Sequence, residues 1–317
     1  MNGKRIGEID YLKCVCILLM IAFHLVFFSE KYPLAKQWVY TFHMPVFLIL
    51  SGYLMQIEKR PSEFLRAMAW IFVPYMVMET GYVAMSAVLP VRDKVDCLSV
   101  GLMLEKLFLH PMGPYWYLHT YLLCGLIYYG VFHWAEKMRL VSRLVVLGTG
   151  YAVLADACQL VSLPNALYFL AGVALRRSGM TFTSFFCPSV WALIPLVWLS
   201  ADMANLNRFT LGGVAIVYLV ASVLLSLYTV IPAGIRRVSD YVGRHTLVLL
   251  VFSPVFTMLS KGLVPLFMFD ETGFCFLFVA MILTVTGSFG IAWCIDRVGV
   301  SPYFWGKMQM LQPFHPK

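Results

Sequence analysis

Charged residues are scarce in this chain of 317 residues. Only 13% are Asp, Glu, Lys or Arg, whereas 61% are hydrophobic and the mean hydropathy is +0.79. A soluble globular domain carries about 25% charged residues. The composition therefore excludes a soluble globular protein and predicts a polytopic membrane protein.

The sequence also lacks the marks of several other classes. Its cysteines form no framework, and Cys14 and Cys16 are too close for ordinary zinc-ligand spacing, so no metal is expected. The sequence leaves open whether Cys97 and Cys158 form a disulfide. The net charge of +8 comes from basic residues at the ends of apolar runs, not from a patch with interleaved aromatics, so no nucleic-acid partner is expected. The N-terminus has no small-residue cleavage signature, and we expect the first apolar run to be retained.

Apolar runs of membrane-spanning length recur along the whole chain. They predict an all-α fold with about ten transmembrane helices, in a single domain 1–317 that ends in a short cytoplasmic tail, 297–317. The predicted spans are 9–29, 41–57, 67–90, 115–135, 141–157, 160–175, 187–201, 210–230, 246–264 and 273–295.

The basic residues predict which side of the membrane each loop faces. With ten spans both termini lie on one side, and most of the 24 lysine and arginine residues fall on that side. Because basic residues concentrate in cytoplasmic loops, both termini are predicted to be cytoplasmic. The cytoplasmic set is Lys4, Arg5, Lys13, Lys59, Arg60, Arg66, Lys137, Arg139, Arg143, Arg176, Arg177, Arg236, Arg237, Arg244, Arg297, Lys307 and Lys317. The external set is Lys31, Lys36, Arg92, Lys94, Lys106, Arg208 and Lys261.

The first span carries two ionisable residues, Lys13 and His24. Eleven residues apart on an α-helix, their side chains lie within about 20° of one face and about 16 Å apart along the axis. An ionisable group inside the bilayer costs several kcal/mol if it faces lipid, so His24 is predicted to face protein or water and to have a chemical role. The alternative is an interhelical hydrogen bond.

The second span adds His43 near its outer end, followed by Ser51 and Gly52. The link between residues 28 and 40 is long enough to bring His43 close to the outer part of the first helix, so the two imidazoles are expected to meet. The alternative is that His43 contacts lipid headgroups. Ser51 and Gly52 are interpreted as small residues that let helices approach closely.

Three further polar residues have mainly structural interpretations. Glu79 in the third span is either a buried structural partner or part of a polar cavity. His119 lies near the outer end of the fourth span, where an aromatic belt is also expected. Asp10 is predicted to cap the first helix or to pair with Lys13.

Several motifs resemble the acyltransferase-3 family of integral-membrane acyltransferases, which includes bacterial polysaccharide and sugar O-acetyltransferases. The order and spacing of these motifs over the predicted spans make the resemblance specific. They are Ile9-Asp10-Tyr11-Leu12-Lys13 leading to His24, His43-Met44-Pro45-Val46-Phe47 with Ser51-Gly52-Tyr53, Pro74-Tyr75, Gly113-Pro114-Tyr115-Trp116-Tyr117-Leu118, Tyr168-Phe169-Leu170-Ala171-Gly172 with Arg176-Arg177, and Gly243-Arg244-His245-Thr246-Leu247.

Three features depart from the family pattern. Lys13 stands where members usually have arginine, and it keeps the charge but loses the planar fork that grips a phosphate through two hydrogen bonds. Ser253 stands where many members have a histidine. The third span opens with Arg66 alone, where the family usually has more arginine.

The resemblance implies transfer of an acyl group, acetyl in the first instance, from cytoplasmic acetyl-coenzyme A as cosubstrate to a hydroxyl of a cell-surface or lipid-linked glycan. It implies a multi-pass protein of the bacterial inner (plasma) membrane, in contact with membrane lipids. Lys13, with Arg66, Arg176 and Arg177, would bind the anionic part of the donor. His24 would act as general base or accept the acyl group itself, and His43 would orient His24 or the acceptor.

Two other functions fit the composition. A transporter or flippase for a lipid-linked sugar would use the same polar residues to line a substrate path. An intramembrane serine protease is disfavoured because Ser51 lacks the flanking glycine pattern expected of an exposed nucleophile, and because no serine is paired by sequence with a histidine.

Overall fold

The computed structural model describes residues 6–88, 95 and 97–312, and these residues form helices and connecting turns without a strand. The predicted all-α class is therefore confirmed. Lys4, Arg5, Arg92, Lys94 and Lys317 of the basic sets lie outside the described residues. The α-helices in chain order are α1 Gly7–His24, α2 Val26–Ser29, α3 Pro33–Leu54, α4 Pro61–Val88, α5 Val100–Phe108, α6 Trp116–Trp134, α7 Leu140–Ala152, α8 Leu163–Arg177, α9 Phe182–Phe186, α10 Leu193–Ser200, α11 Leu211–Leu227, α12 Ala233–Arg244, α13 Thr246–Leu259, α14 Phe274–Val298 and α15 Ser301–Phe304.

Shorter helical turns of other types extend or connect these helices. A π-helical turn, Val153–Ala157, continues α7, and a 3₁₀ segment, Ser260–Phe267, continues α13. Further 3₁₀ turns are Gly113–Tyr115, Val190–Ala192 and Met203–Asn205.

Each predicted span overlaps a helix, and four helical stretches are long and apolar enough to cross a membrane. The number of spans and the orientation of the termini stay predictions. The four stretches are Pro61–Val88, Leu140–Ala157, Thr246–Phe267 and Phe274–Val298.

Two helix boundaries differ from the predicted spans. The helix of the first predicted span is broken at Leu25, whose backbone is extended (φ −74°, ψ 94°), so that α1 ends at His24 and α2 follows as a separate turn. Helix α3, which holds most of the second predicted span, begins at Pro33, so part of the expected link before residue 41 is helical. Proline suits the first turn of a helix, where its missing N–H needs no partner.

The described chain divides into two compact units. The first unit holds the residues up to Phe47, Met180–Cys294 and the residues from Leu311 onward. The second unit holds Leu48–Gly179 and Ile295–Met310. Helices α3 and α14 each contribute residues to both units.

Helix α1 forms the centre of the first unit, where it packs against α11, α12 and α13. Its buried residues, among them Leu12, Cys16 and Ile17, lie all around the helix, as expected of a core helix. Helix α12 approaches α1 at Gly243, where an added Cβ would overlap the backbone carbonyl of Asp10. Glycine is therefore required at this crossing.

In the second unit, the last part of α3 packs against α8 through two glycines. A Cβ at Gly52 would overlap the Phe169 carbonyl, and a Cβ at Gly172 would overlap the Ile49 carbonyl. The predicted close approach of helices at Gly52 is confirmed. Ser51 instead forms a 2.6 Å hydrogen bond with the Tyr117 hydroxyl.

Candidate active site

His24 is the last residue of α1 and is half-buried in the first unit. Its Nδ1 lies 2.6 Å from the carbonyl oxygen of Met20, one turn earlier. Since a carbonyl only accepts, Nδ1 carries the proton in the neutral ring and Nε2 presents its lone pair. Within the described part of the chain, Nε2 has no hydrogen-bond partner. The ring is thus held in one tautomer with its basic nitrogen available.

His43 repeats this arrangement on α3. Its Nδ1 donates to the Val39 carbonyl at 2.7 Å, and its Nε2 is buried without a hydrogen-bond partner among the described residues. The side chain is only 2% exposed. Buried polar atoms are almost always paired, so an orphan imidazole nitrogen in a protein core is an unusual feature.

Tyr40 brings the two histidines together. Its ring centroid lies 6.0 Å from that of His24 and 5.1 Å from that of His43, and its hydroxyl donates to the Phe23 carbonyl at 3.2 Å. The two imidazoles therefore share one aromatic neighbour within the first unit. This arrangement agrees with the expectation that His24 and His43 lie close together. Any catalytic role for them stays a prediction.

Lys36, Tyr40 and His43 form a stripe on α3 that sequence reasoning missed. Their spacing of four and three residues places them on one face of a helix. The Lys36 Nζ lies 5.9 Å from the Tyr40 ring centroid, so a positive charge stands beside the aromatic ring. The stripe was missed because residues 28 to 40 were interpreted as a link, whereas α3 begins at Pro33.

At the other end of α1, Lys13 forms an ion pair with Asp10, with 2.7 Å between Nζ and Oδ1. The predicted pairing of these residues is confirmed, and Asp10 makes no N-terminal cap. Asp10 Oδ2 also lies 3.9 Å from Nε of Arg244 on α12. One buried carboxylate thus holds two cations. Lys13 and Arg244 together leave an excess of positive charge beside Asp10, and Arg244 is a residue to which sequence reasoning gave no role in binding.

Asp240 on α12 lies next to this cluster, at the end of the first unit that is predicted to face the cytoplasm. It accepts a hydrogen bond of 3.2 Å from the Tyr228 hydroxyl, while its Oδ1 is buried without a partner among the described residues. Burial raises the pKa of the Asp240 carboxyl above its ordinary value, and the charge of Asp10 acts in the same direction. The hydrogen bond from Tyr228 and the charge of Arg244 oppose that shift.

The other predicted donor-binding residues, Arg66, Arg176 and Arg177, belong to the second unit. Arg66 on α4 is exposed and has no partner among the described residues. Arg176 ends α8 with its guanidinium carbon 5.7 Å from the Tyr53 ring centroid. Both side chains are accessible to a ligand.

Arg177 is occupied by contacts within the second unit. Its Nε donates to the Tyr128 hydroxyl at 2.6 Å, and its Nη2 lies 3.3 Å from Oε1 of Glu58. The guanidinium also stacks over Phe132, 5.1 Å from the ring centroid. Its donor-binding role stays a prediction, but these contacts give Arg177 a structural function of its own.

The remaining polar residues have partners that explain them. Glu79 accepts a 2.5 Å hydrogen bond from the Met112 backbone, which supports a structural role for this buried carboxyl. His119 donates from Nε2 to the Phe108 carbonyl at 2.9 Å. Cys97 and Cys158 are both free thiols, so they do not form the disulfide that the sequence allowed.

Comparison with known proteins adds one result. A family model described as the acyltransferase domain of the acyltransferase-3 type matches residues 6–293, nearly the whole chain. No curated protein matches the sequence, and neither does any solved structure.

Proposed function

The chain belongs to the acyltransferase-3 family, and on that premise we propose that it moves an acyl group, acetyl in the simplest case, from cytoplasmic acyl-coenzyme A to a hydroxyl of a cell-surface or lipid-linked glycan. Family membership and the apolar helices make it a membrane acyltransferase. The donor, the acceptor, the bacterial inner membrane as location and the cytoplasmic termini belong to the proposal.

Helix α1 carries the proposal. It runs unbroken from Gly7 to His24, so Lys13 and His24 share one face about 16 Å apart. Lys13 and Arg244 supply the positive charge for the phosphates of the donor, because charge-assisted hydrogen bonds to phosphate are among the strongest in proteins. The long pantetheine arm of the donor then carries the thioester along α1 toward His24.

At His24, Nε2 is the reacting atom. As general base it takes the proton of the glycan hydroxyl while the hydroxyl oxygen attacks the thioester carbonyl; the C–S bond then breaks, and the thiolate of coenzyme A receives the proton from His24. In the alternative route Nε2 itself attacks the thioester carbonyl, the C–S bond breaks and coenzyme A leaves as its thiolate. The glycan hydroxyl then attacks the acyl-imidazolium, the bond from the acyl carbon to Nε2 breaks, and the hydroxyl proton passes to the thiolate. Both routes need Nδ1 to keep its proton, and the Met20 carbonyl fixes that tautomer.

His43 and Lys36 assist in this proposal. His43 neighbours the same Tyr40 ring as His24, so it orients the tyrosine and the acceptor hydroxyl. Lys36 places a positive charge beside Tyr40, and such a charge stabilises the oxyanion that forms on the thioester carbonyl.

Purified full-length protein in lipid nanodiscs tests the function directly. Radiolabelled acetyl-coenzyme A is supplied on its own and together with a bacterial lipid-linked oligosaccharide fraction. We expect slow thioester hydrolysis without acceptor and label on the oligosaccharide with it. A transporter or flippase would instead leave both the thioester and the sugar chemically unchanged.

A further inference from the structure

A cavity of about 450 Å³ opens in the second unit, in the size range of small-molecule sites, about 300–1,000 Å³. It lies between the segment after α5, the start of α6 and the turn that joins α7 to α8. This is the end of the second unit predicted to face outward. Its polar and aromatic lining includes His110, Trp116, His119, Gln159, Ser162 and Asn165.

Asn165 lies in the first turn of α8 and is only 4% exposed. Its amide oxygen is buried and accepts no hydrogen bond from any described residue. Leaving such a group unpaired costs about 1–3 kcal/mol. Asn165 also lines the cavity, so a change of its side-chain rotamer would offer this oxygen to a ligand hydroxyl.

His119 offers a second acceptor in the lining. Because its Nε2 donates to the Phe108 carbonyl, the neutral ring leaves Nδ1 with a free lone pair. The same hydrogen bond fixes the position of the ring. The cavity therefore combines a buried amide oxygen with an oriented imidazole nitrogen, and both accept hydrogen bonds.

The wall that follows α7 is held in an uncommon conformation. The chain leaves α7 through a π-helical turn, Val153–Ala157, and Gln159 then adopts a left-handed conformation with φ 55°. Such a conformation costs a residue other than glycine on the order of 1–3 kcal/mol. Glycine at position 159 would remove this cost, whereas glutamine places a polar side chain in the lining of the cavity.

The opposite wall, formed by the last turn of α5 and the segment after it, is fixed by buried side chains. The Tyr75 hydroxyl donates to the Leu107 carbonyl at 2.7 Å, and the Met112 N–H donates to Glu79. With the bond from His119 to Phe108, three side chains from α4 and α6 hold this segment in place. Because this wall is already ordered, the protein loses less conformational entropy when a ligand binds in the cavity.

The charge of the lining selects the ligand. Among the described residues that line the cavity, none carries a permanent charge. Phosphate and carboxylate ligands call for arginine or lysine, so an anionic headgroup or nucleotide is a poor fit. An indole ring with amide, hydroxyl and imidazole groups instead suits a neutral polyol, which has apolar C–H faces and many hydroxyl groups.

We propose that this cavity is a binding site for a neutral saccharide, with Trp116 as the stacking platform and Asn165, His119 and Gln159 as hydrogen-bond partners. Its use as the acceptor site rests on the proposed acyl transfer, whereas saccharide binding itself does not.

Binding to full-length protein in nanodiscs tests the proposal, with cellobiose and chitobiose as probes and saturation-transfer NMR as the readout. We expect Trp116→Ala to weaken binding at least about tenfold and Trp116→Phe to retain most of it, since phenylalanine keeps an aromatic face. The matched control is Trp134→Ala at the far end of the same helix, where the ring is 87% exposed and lies outside the cavity lining. Size-exclusion profiles establish that each variant is folded.

A kinetic measurement separates this site from the proposed function. Trp116→Ala should raise the KM for the glycan acceptor, whereas the control Trp134→Ala should leave both the acceptor KM and the hydrolysis of acetyl-coenzyme A at their wild-type values. If the protein binds saccharide through Trp116 but has no transferase activity, the saccharide-binding site is supported and the proposed acyltransferase function is refuted. An unchanged acceptor KM in Trp116→Ala would overturn the use of the cavity as the acceptor site. Equal saccharide affinity in Trp116→Ala and wild type, or binding of glycerol phosphate in place of both disaccharides, would overturn the binding site itself.

Discussion

At the scale of single residues, the account depends on which polar atoms are paired. Nε2 of His24 and Nε2 of His43 have no hydrogen-bond partner in the described chain, whereas Lys13 is paired with Asp10. The Asp10 pair was predictable, because a spacing of three residues places both side chains on one helix face. The contacts of Arg244 and Tyr40 were not, because they depend on how α12 and α3 pack against α1.

Lys13 supplies the first prediction. Lys13→Ala should raise the KM for acetyl-coenzyme A about tenfold, the 1.4 kcal/mol expected when one charge-assisted contact to phosphate is lost. Lys13→Arg should keep most of the affinity, since it keeps the charge and can still pair with Asp10. Donor titrations with purified protein measure both. Identical KM values for the two variants would remove Lys13 from donor binding.

Asp240 supplies a prediction about pH. Its pKa is raised above the ordinary value of about 4, so its carboxylate forms as the pH rises through that higher value. The new negative charge stands near Arg244 and should weaken binding of the anionic donor. In wild type the donor KM should therefore increase with pH over this window, and in Asp240→Asn the increase should be smaller.

The comparison of the two pH profiles cancels the titration of the donor phosphates, which both proteins experience equally. The same slope of donor KM against pH in wild type and Asp240→Asn would exclude any influence of this carboxyl on donor binding.

At the scale of elements, glycine positions decide where helices cross. Gly52 was recognised in the sequence because small residues allow close packing in membranes. Its partner Gly172 and the crossing of α12 at Gly243 were not identified, since one sequence does not indicate which helices are neighbours. The break at Leu25 was also missed, because residues 8–32 contain no proline or glycine.

Gly243→Ala tests the crossing of α12 over α1. The added methyl group overlaps the Asp10 carbonyl, so the helices must move apart at a cost of about 1–3 kcal/mol. We expect a lower unfolding temperature in detergent and loss of transfer activity. Gly234→Ala on the same helix is the control, because nothing lies within 4 Å of the added atom.

The reverse order of stability would contradict the described packing of α12. Gly234→Ala should be neutral or slightly stabilising, as alanine favours helix over glycine. A Gly243→Ala protein as stable and active as Gly234→Ala would show that α12 does not approach α1 closely at this residue.

At the level of the whole molecule, composition and hydropathy predicted the helical class and the approximate position of a helix for each predicted span, but not short helices such as α9 and α12. The charge distribution predicted the orientation, which the described structure leaves open. The division into two units had no signal in the sequence, since α3 and α14 continue from one unit into the other without a change in composition.

Thiol labelling tests the predicted orientation. The first variant keeps the exposed Cys97 and carries serine at the four other exposed cysteines. In intact cells its Cys97 should react with a membrane-impermeant maleimide. With Cys97 also changed to serine, a cysteine introduced by Lys307→Cys should react only after the membrane is permeabilised. The opposite pattern would place the termini outside. The cysteines changed to serine are Cys158, Cys187, Cys275 and Cys294.

If His24 is needed to move an acyl group to a glycan, its replacement changes the mass of the surface glycans. Cells that make the wild-type protein or His133→Ala, an exposed histidine on α6, should carry glycans heavier by one acyl group per modified residue. Cells that make His24→Ala at equal membrane levels should lose that mass, with at least about a hundredfold less product, as expected for loss of a general base. The same acylated glycans in the His24→Ala cells would contradict the account.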